Sequence, residues 1–269
     1  MSHLRTLSNM ESDKCYAIDS SKIGGDDGSV FEHLRHELIV HGYVKIKCEN
    51  LPDGDCDTAC LNIIAALRGI CCPYNDDENS FIWPVKVLEL DSPSSKLQAS
   101  QLDRELVFHT DCSYEHKAPR FVALYVVQCD RSEHGGKFQL LRTKDILESL
   151  STDARQLLSQ ETYKINVPPD FRKGDIDYIS GPIILDGGEH IRYRRDILDK
   201  NQLKEERADK RAAVAELNAI ILTEDRLEIF RPVLENNMMI LFDNRRFLHG
   251  RTKIIDTERY LLRVRFNLT

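Results

Sequence analysis

No apolar run in the sequence approaches the length of about 20 residues that a bilayer-spanning helix requires, which excludes a helical membrane anchor. Positive charge is in deficit. Lys and Arg number 37 against 44 Asp and Glu, a net charge of -7, so broad attraction to nucleic acid or an anionic membrane is excluded and only a local basic patch stays open. Spaced CxxC pairs of the zinc type are missing, as is a secretory signal, so the eight cysteines read as reduced thiols and the expected location is cytoplasmic. Cys71 and Cys72 are adjacent and do not easily bridge each other, while Cys56 and Cys60 are spaced for one helix face, which suits packing. There is no internal repeat, and no Pro/Gly-rich linker cuts residues 81–269.

What is present suffices for a full core: 269 residues at 41% hydrophobic content. Residues 1–27 are polar, end in "GGDDGS" and are expected to be a flexible N-terminal arm, leaving 28–269 as a single domain. "SVFEHLRHELIVHGYVKIK" reads as a helix with Phe31, Leu34, Leu38 and Ile39 on one face, stopped at Gly42 and followed by a strand from Tyr43 to Lys47. "DTACLNIIAALRGI" is a second amphipathic helix. After Phe81 come many short apolar runs separated by turns, "RFVALYVVQ", "KFQLL", "HIRYRR", "MMILF" and "YLLRVRFNL" among them. They predict a sandwich or barrel rather than a regularly alternating strand–helix sheet. One helix interrupts them, from about Glu205 to Leu222, with Val214, Leu217 and Ile221 on one face. The class is mainly β with flanking helices.

Within "VFHTDC", His109 and Asp111 are separated by one residue. On a strand, positions i and i+2 share a face, so imidazole and carboxylate would project together as two ligands of a chelate. The pair alone also reads as a turn hydrogen bond, and a facial metal triad needs a second histidine. "MMILFDNRRFLHGRT" supplies a candidate, His249, beyond an apolar run and a polar turn, and "RYLLR" then spaces Arg259 and Arg263 on a final strand.

Taken in order, "FHTD", "DNRRFLHGRT" and "RYLLR" resemble the Fe(II)- and 2-oxoglutarate-dependent oxygenases of the taurine dioxygenase and clavaminate synthase-like superfamily. The middle motif is similar to that of γ-butyrobetaine and trimethyllysine hydroxylases, and the layout looks like that of free amino acid hydroxylases. The likeness covers residues 30–269 or so. It implies a double-stranded β-helix, or jelly roll, with His109, Asp111 and His249 as iron ligands and O₂ and 2-oxoglutarate as cosubstrates. It further implies that Arg259 holds the distal carboxylate of 2-oxoglutarate, a task suited to the planar guanidinium fork. Arg263 matches a substrate-contacting position or supports Arg259, and Tyr114 is expected over the iron.

Where relatives carry Gly-Gly-x-Thr, this chain has "GGKF", with Phe138 in place of the threonine that helps hold 2-oxoglutarate. The distal carboxylate must therefore find another partner or rely on Arg259 alone. "NNMMILFDN" also departs from the usual Gly-Asp before the strand, a change expected to touch only a turn. Asp111 stands where related halogenases have a small residue, so hydroxylation with release of succinate is the expected outcome. In "HIRYRR", Arg192 and Arg194 share a strand face and are expected either to bind a substrate carboxylate or to form an exposed charged strand. His116 and His134 read as solvated loop residues. The resemblance implies a small amino acid-like substrate and no nucleic acid or membrane partner; self-association stays open. The competing expectations are a desaturase or cyclase with the same cofactors, a non-catalytic jelly-roll binding protein, and a zinc hydrolase, which would leave Arg259 unexplained.

Overall fold

The computed structural model describes residues 14–269 apart from 20–22, 24–27, 52–53, 76, 89–97, 197, 199–206 and 224–226. Two sheets dominate it. The larger runs β1 (Cys15–Asp19), β2 (Tyr43–Glu49), β13 (Met238–Asp243), β6 (Phe121–Gln128), β15 (Tyr260–Leu268) and β3 (Gly69–Cys71), with β4 (Ile82–Lys86) also on β15. The smaller runs β12 (Ile229–Phe230), β7 (Phe138–Arg142), β14 (Phe247–Arg251) and β5 (Leu106–His109).

Alternation along each strand decides what lies between the sheets. On β15, Leu262, Val264 and Phe266 pack outward with Phe31, Leu34 and Leu38 of α1 (Gly28–His41) and Ile63 and Ile64 of α2 (Cys56–Ala66). Leu261 takes the opposite face and joins Val122, Leu124 and Phe242 of the large sheet with Phe138, Leu140 and Phe247 of the small one. That shared cluster shows the sheets stacked face to face. Arg263 and Arg265 follow Leu261 at the same period. Against the outer side of the small sheet, Leu141 and Leu248 pack with α3 (Thr143–Ser149), α4 (Thr152–Gln160) and α5 (Ala208–Leu222), along with the ribbon β8 (Tyr163–Asn166) and β9 (Tyr178–Gly181). The protein is mainly β with a few helices. No helix among the described residues is long and apolar enough to cross a membrane.

Three expectations need correction. Part of the supposed N-terminal arm, Cys15–Asp19, is a strand paired in parallel with Lys45–Glu49; residues 1–13 lie outside the described set. The strand expected through "HIRYRR" is only β11 (His190–Ile191), closing on β10 (Ile184–Leu185) through a turn with positive φ at Asp186, Gly187 and Gly188. Past Ile191 the chain leaves the ribbon because the Tyr193 backbone is drawn to Thr110, donating to its Oγ1 at 2.9 Å and accepting from its N–H at 2.7 Å. Likewise β5 ends at His109, and Asp111 sits in a turn that Cys112 completes with φ of 57°.

Candidate metal centre

Although Asp111 is not on a strand, its side chain meets His109. Its Oδ1 lies 3.7 Å from His109 Nε2 and 4.0 Å from His249 Nε2. Strand register accounts for the second imidazole. His249 on β14 is the direct partner of His109 on β5, and the ring centroids are 4.2 Å apart. One potential ligand atom from each of the three residues lies within 4.8 Å of the others, and all three residues are buried.

Hydrogen bonds set the state of each group. His109 Nδ1 lies 3.0 Å from the Val107 carbonyl, and a ring that donates there turns Nε2 to the site. Burial, then the neighbouring His109, holds His249 well below the ordinary histidine range, so its ring is neutral. For Asp111, burial acts upward, but Arg263 and the two histidines outweigh it and keep the carboxyl ionised well below its ordinary value. Arg263 Nη1 donates to Asp111 Oδ1 at 2.9 Å, and its Nε donates to the Tyr74 hydroxyl at 3.2 Å. Asn244, from the turn before β14, clips the Asp111 backbone, accepting from its N–H at 2.7 Å and donating to its carbonyl at 2.9 Å.

Asp111 Oδ2 and His249 Nδ1 are nevertheless buried without a hydrogen bond. A buried carboxylate oxygen left without a donor is costly, and a cation between the two imidazoles and this carboxylate relieves the cost. Two nitrogens and one carboxylate oxygen suit a non-haem Fe(II) centre with open positions.

Beyond the triad lies a cavity of about 310 Å³, lined by Arg259, Phe138, Leu261, Val126 and Gly136, with the exposed Lys137 and Arg231 also on its wall. Arg259 is 4% exposed and its Nη1 has no hydrogen bond. Burial, followed by the nearby positive charge of Arg251, brings its pKa down to about 10. Asp130 on the same wall acts the other way without forming an ion pair, so the buried guanidinium is open to an anionic ligand. Gly136, at φ +56°, presses so close that an added Cβ would lie 2.9 Å from Arg259 Cδ and Nε. Phe138 joins cavity to metal site, its ring centroid 6.0 Å from that of His249.

The residues expected to meet substrate are engaged within the protein. Arg263 is on Asp111 and Tyr74, not on Arg259. Tyr114 is buried and stacks on Phe171 at 5.2 Å and 11°. Arg192 donates to the Glu115 and His116 carbonyls at 3.1 and 3.3 Å, tying down the loop after the ligands, and Arg194 pairs with Asp196. His116 and His134 are exposed. Sequence reasoning missed Arg265, fully buried, which donates to Cys112 Sγ at 3.0 Å and to Glu115, with its guanidinium 4.5 Å from the centre of the Tyr74 ring. Its signal was the i+2 spacing from Arg263. Asn244 and Thr110 were also missed, because their partners are remote in sequence.

A cleft between two sheets that buries a two-histidine, one-carboxylate cluster beside a partnerless arginine has the build of a non-haem iron oxygenase. The family model for the taurine catabolism dioxygenase TauD, TfdA family matches residues 76–265, and the chain belongs to that family. No curated protein sequence matches. Among solved structures, asparagine oxygenase with Fe(II), 2S,3S-3-hydroxyasparagine and succinate is similar at TM-score 0.69 and 17% identity, over 95% of this chain and 93% of that one. The non-haem iron oxygenase OrfP with Fe and alpha-ketoglutaric acid is similar at TM-score 0.67 and 14% identity, over 95% of each chain. OrfP with Fe, succinate and (3S)-hydroxy-L-Arg gives TM-score 0.68 at 13% identity, again over 95% of each.

Proposed function

We propose that this protein is an Fe(II)- and 2-oxoglutarate-dependent dioxygenase that hydroxylates an unactivated C–H bond of a free amino acid or similar small zwitterion. The observation that carries the reading is the buried convergence of His109, Asp111 and His249, with Asp111 Oδ2 unpartnered. The two stacked sheets then form a double-stranded β-helix with the metal between them. His109, Asp111 and His249 hold the iron, and Arg259 holds the distal carboxylate of 2-oxoglutarate. Membership of a dioxygenase family supports the reaction class. The fold shared with asparagine oxygenase and OrfP, both crystallised with hydroxylated amino acids, supports the substrate class.

Bound iron with 2-oxoglutarate and O₂ supplies the oxidising power, releasing succinate and CO₂ and delivering one oxygen atom to substrate. The chain's own contribution is geometric and electrostatic. The Val107 carbonyl fixes the His109 tautomer, and Asn244 fixes the backbone from which Asp111 projects. Arg263 keeps Asp111 anionic and orients the carboxylate through Oδ1, while Oδ2 has no protein partner. Burial of all three ligands excludes bulk water from the reacting centre. Substrate contacts by Arg263, Tyr114 or Arg192 would require each to give up a protein partner. In this reading Arg263 supports the metal ligand, while Arg192 and Tyr114 shape the loop above it.

The test is succinate formation by anaerobically reconstituted Fe(II) protein, given 2-oxoglutarate and O₂ across the free amino acids, with product masses recorded. Succinate coupled to a product heavier by one oxygen supports hydroxylation; loss of two hydrogens would favour desaturation or cyclisation. An iron-loaded protein that neither binds nor turns over 2-oxoglutarate would sink the proposal.

A further inference from the structure

Arg251 and Arg259 are both buried, and each has only a more distant carboxylate, Asp103 and Asp130 respectively, rather than an ion pair. Arg259 has the orphan Nη1 already described. Arg251, 3% exposed, has an orphan Nε. A fold tolerates desolvated, unpaired guanidinium groups where a ligand completes them, since a buried charge without a counter-charge is strongly destabilising.

Register puts the second arginine beside the first one's cavity. Arg251 lies two residues beyond His249 on β14, so the two side chains leave the strand on the same face. Its direct cross-strand partner on β7 is Phe138, which lines the Arg259 cavity and approaches His249. Phe138 brings no hydrogen-bond donor, whereas its cross-strand neighbour Arg251 does. The Arg251 guanidinium is held ready. Nη1 donates to the carbonyls of Arg104 at 2.7 Å and Thr252 at 3.3 Å, and Nη2 donates to that of Leu102. Three of its five N–H groups are spent, and Nε is the one nitrogen buried with no partner.

We propose that Arg251 is a second cosubstrate-binding residue: its Nε–H and the Arg259 fork together take the distal carboxylate of 2-oxoglutarate, supplying what Phe138 does not. This rests on the cosubstrate reading above. It makes β14 a strand that binds iron through His249 and selects a 2-oxo diacid through Arg251.

The experiment measures binding to Mn(II)-loaded protein by calorimetry, with 2-oxoglutarate and with 2-oxobutyrate, which has no distal carboxylate. A charge-assisted hydrogen bond corresponds to an affinity loss of roughly 10- to 100-fold. Arg251→Gln should lose that much for 2-oxoglutarate and almost nothing for 2-oxobutyrate, and Phe138→Thr added to it should recover part of the loss. An equal loss for both ligands would mean that Arg251 only holds the segment at Leu102–Arg104 and would overturn the inference, as would no loss at all. Should Arg251→Gln fail to fold, Arg251→Lys keeps a charge near those carbonyls but lacks the Nε–H, and the same comparison decides. Wild-type protein that bound neither ligand would overturn both readings; wild-type binding with an unchanged Arg251→Gln overturns this one alone.

Discussion

Arg263→Met is the substitution that most directly probes the metal centre, because it removes the cation nearest Asp111 while roughly preserving side-chain length. In the metal-free protein the Asp111 carboxylate would be left buried, with Oδ2 already unpartnered and Oδ1 stripped of its 2.9 Å donor. Breaking one side of a buried pair costs about 3–5 kcal/mol. For a domain of this size, each kcal/mol moves the melting temperature by about 2–4 °C, so the metal-free variant should melt roughly 6–20 °C below wild type. A divalent metal at the site restores positive charge beside Asp111, so the gap should narrow to less than about half in Mn(II)-loaded protein. The pH dependence has a definite sign. Arg263 helps hold the folded Asp111 carboxyl below its unfolded value of about 3.9, so the native state binds fewer protons there than the unfolded chain. That stability is present above about pH 4 and drains away as pH falls further; the variant should lose much of this acid limb. Differential scanning fluorimetry across pH, with and without metal, reads all of it. Equal melting temperatures for metal-free wild type and variant would refute the electrostatic account of Asp111.

Gly136→Ala should weaken 2-oxoglutarate binding, because the new methyl meets Arg259 at 2.9 Å and φ of +56° disfavours any side chain; about 1–3 kcal/mol of strain is expected in stability as well. Unchanged affinity by titration calorimetry would show that Arg259 can move aside without consequence. His190 is buried, and burial followed by the charge of Arg245 lowers its pKa to about 4, so the unfolded chain takes up its proton first on acidification. Its contribution is intact above about pH 6.5 and is lost as pH falls toward 4; His190→Gln should flatten the stability profile across that window, as denaturant titrations at several pH values will show.

Local signals carried the sequence reading a long way. Of the predicted apolar stripe, Phe31, Leu34 and Leu38 face the core while Ile39 is exposed, and the strands through Phe121–Gln128, Met238–Asp243 and Tyr260–Leu268 form where alternating or continuous apolar runs predicted them. His109, Asp111 and His249 come together although Asp111 is not on a strand, because the turn after β5 returns its carboxylate to the site. What stayed hidden depends on pairings distant in sequence. Nothing near Arg192 announces that the loop carbonyls of Glu115 and His116 would claim it. Nothing near Arg263 announces that Asp111, 152 positions away, would be its partner. Cys15–Asp19 is short and flanked by polar residues, and becomes a strand only because β2 offers it an edge.

The bond between Asn244 and the Asp111 backbone spans 133 positions, and His249 reaches His109 from the same side of that gap. The convergence rests on the pairing of β14 with β5 and on the Asn244 clip, which sets this centre apart from chelates whose ligands lie close together in sequence. Strands β5 and β14 of the small sheet pair, and the three side chains converge as a result. If the proposed function holds, a chelator should remove the iron, or another divalent ion replace it, while the β architecture stands.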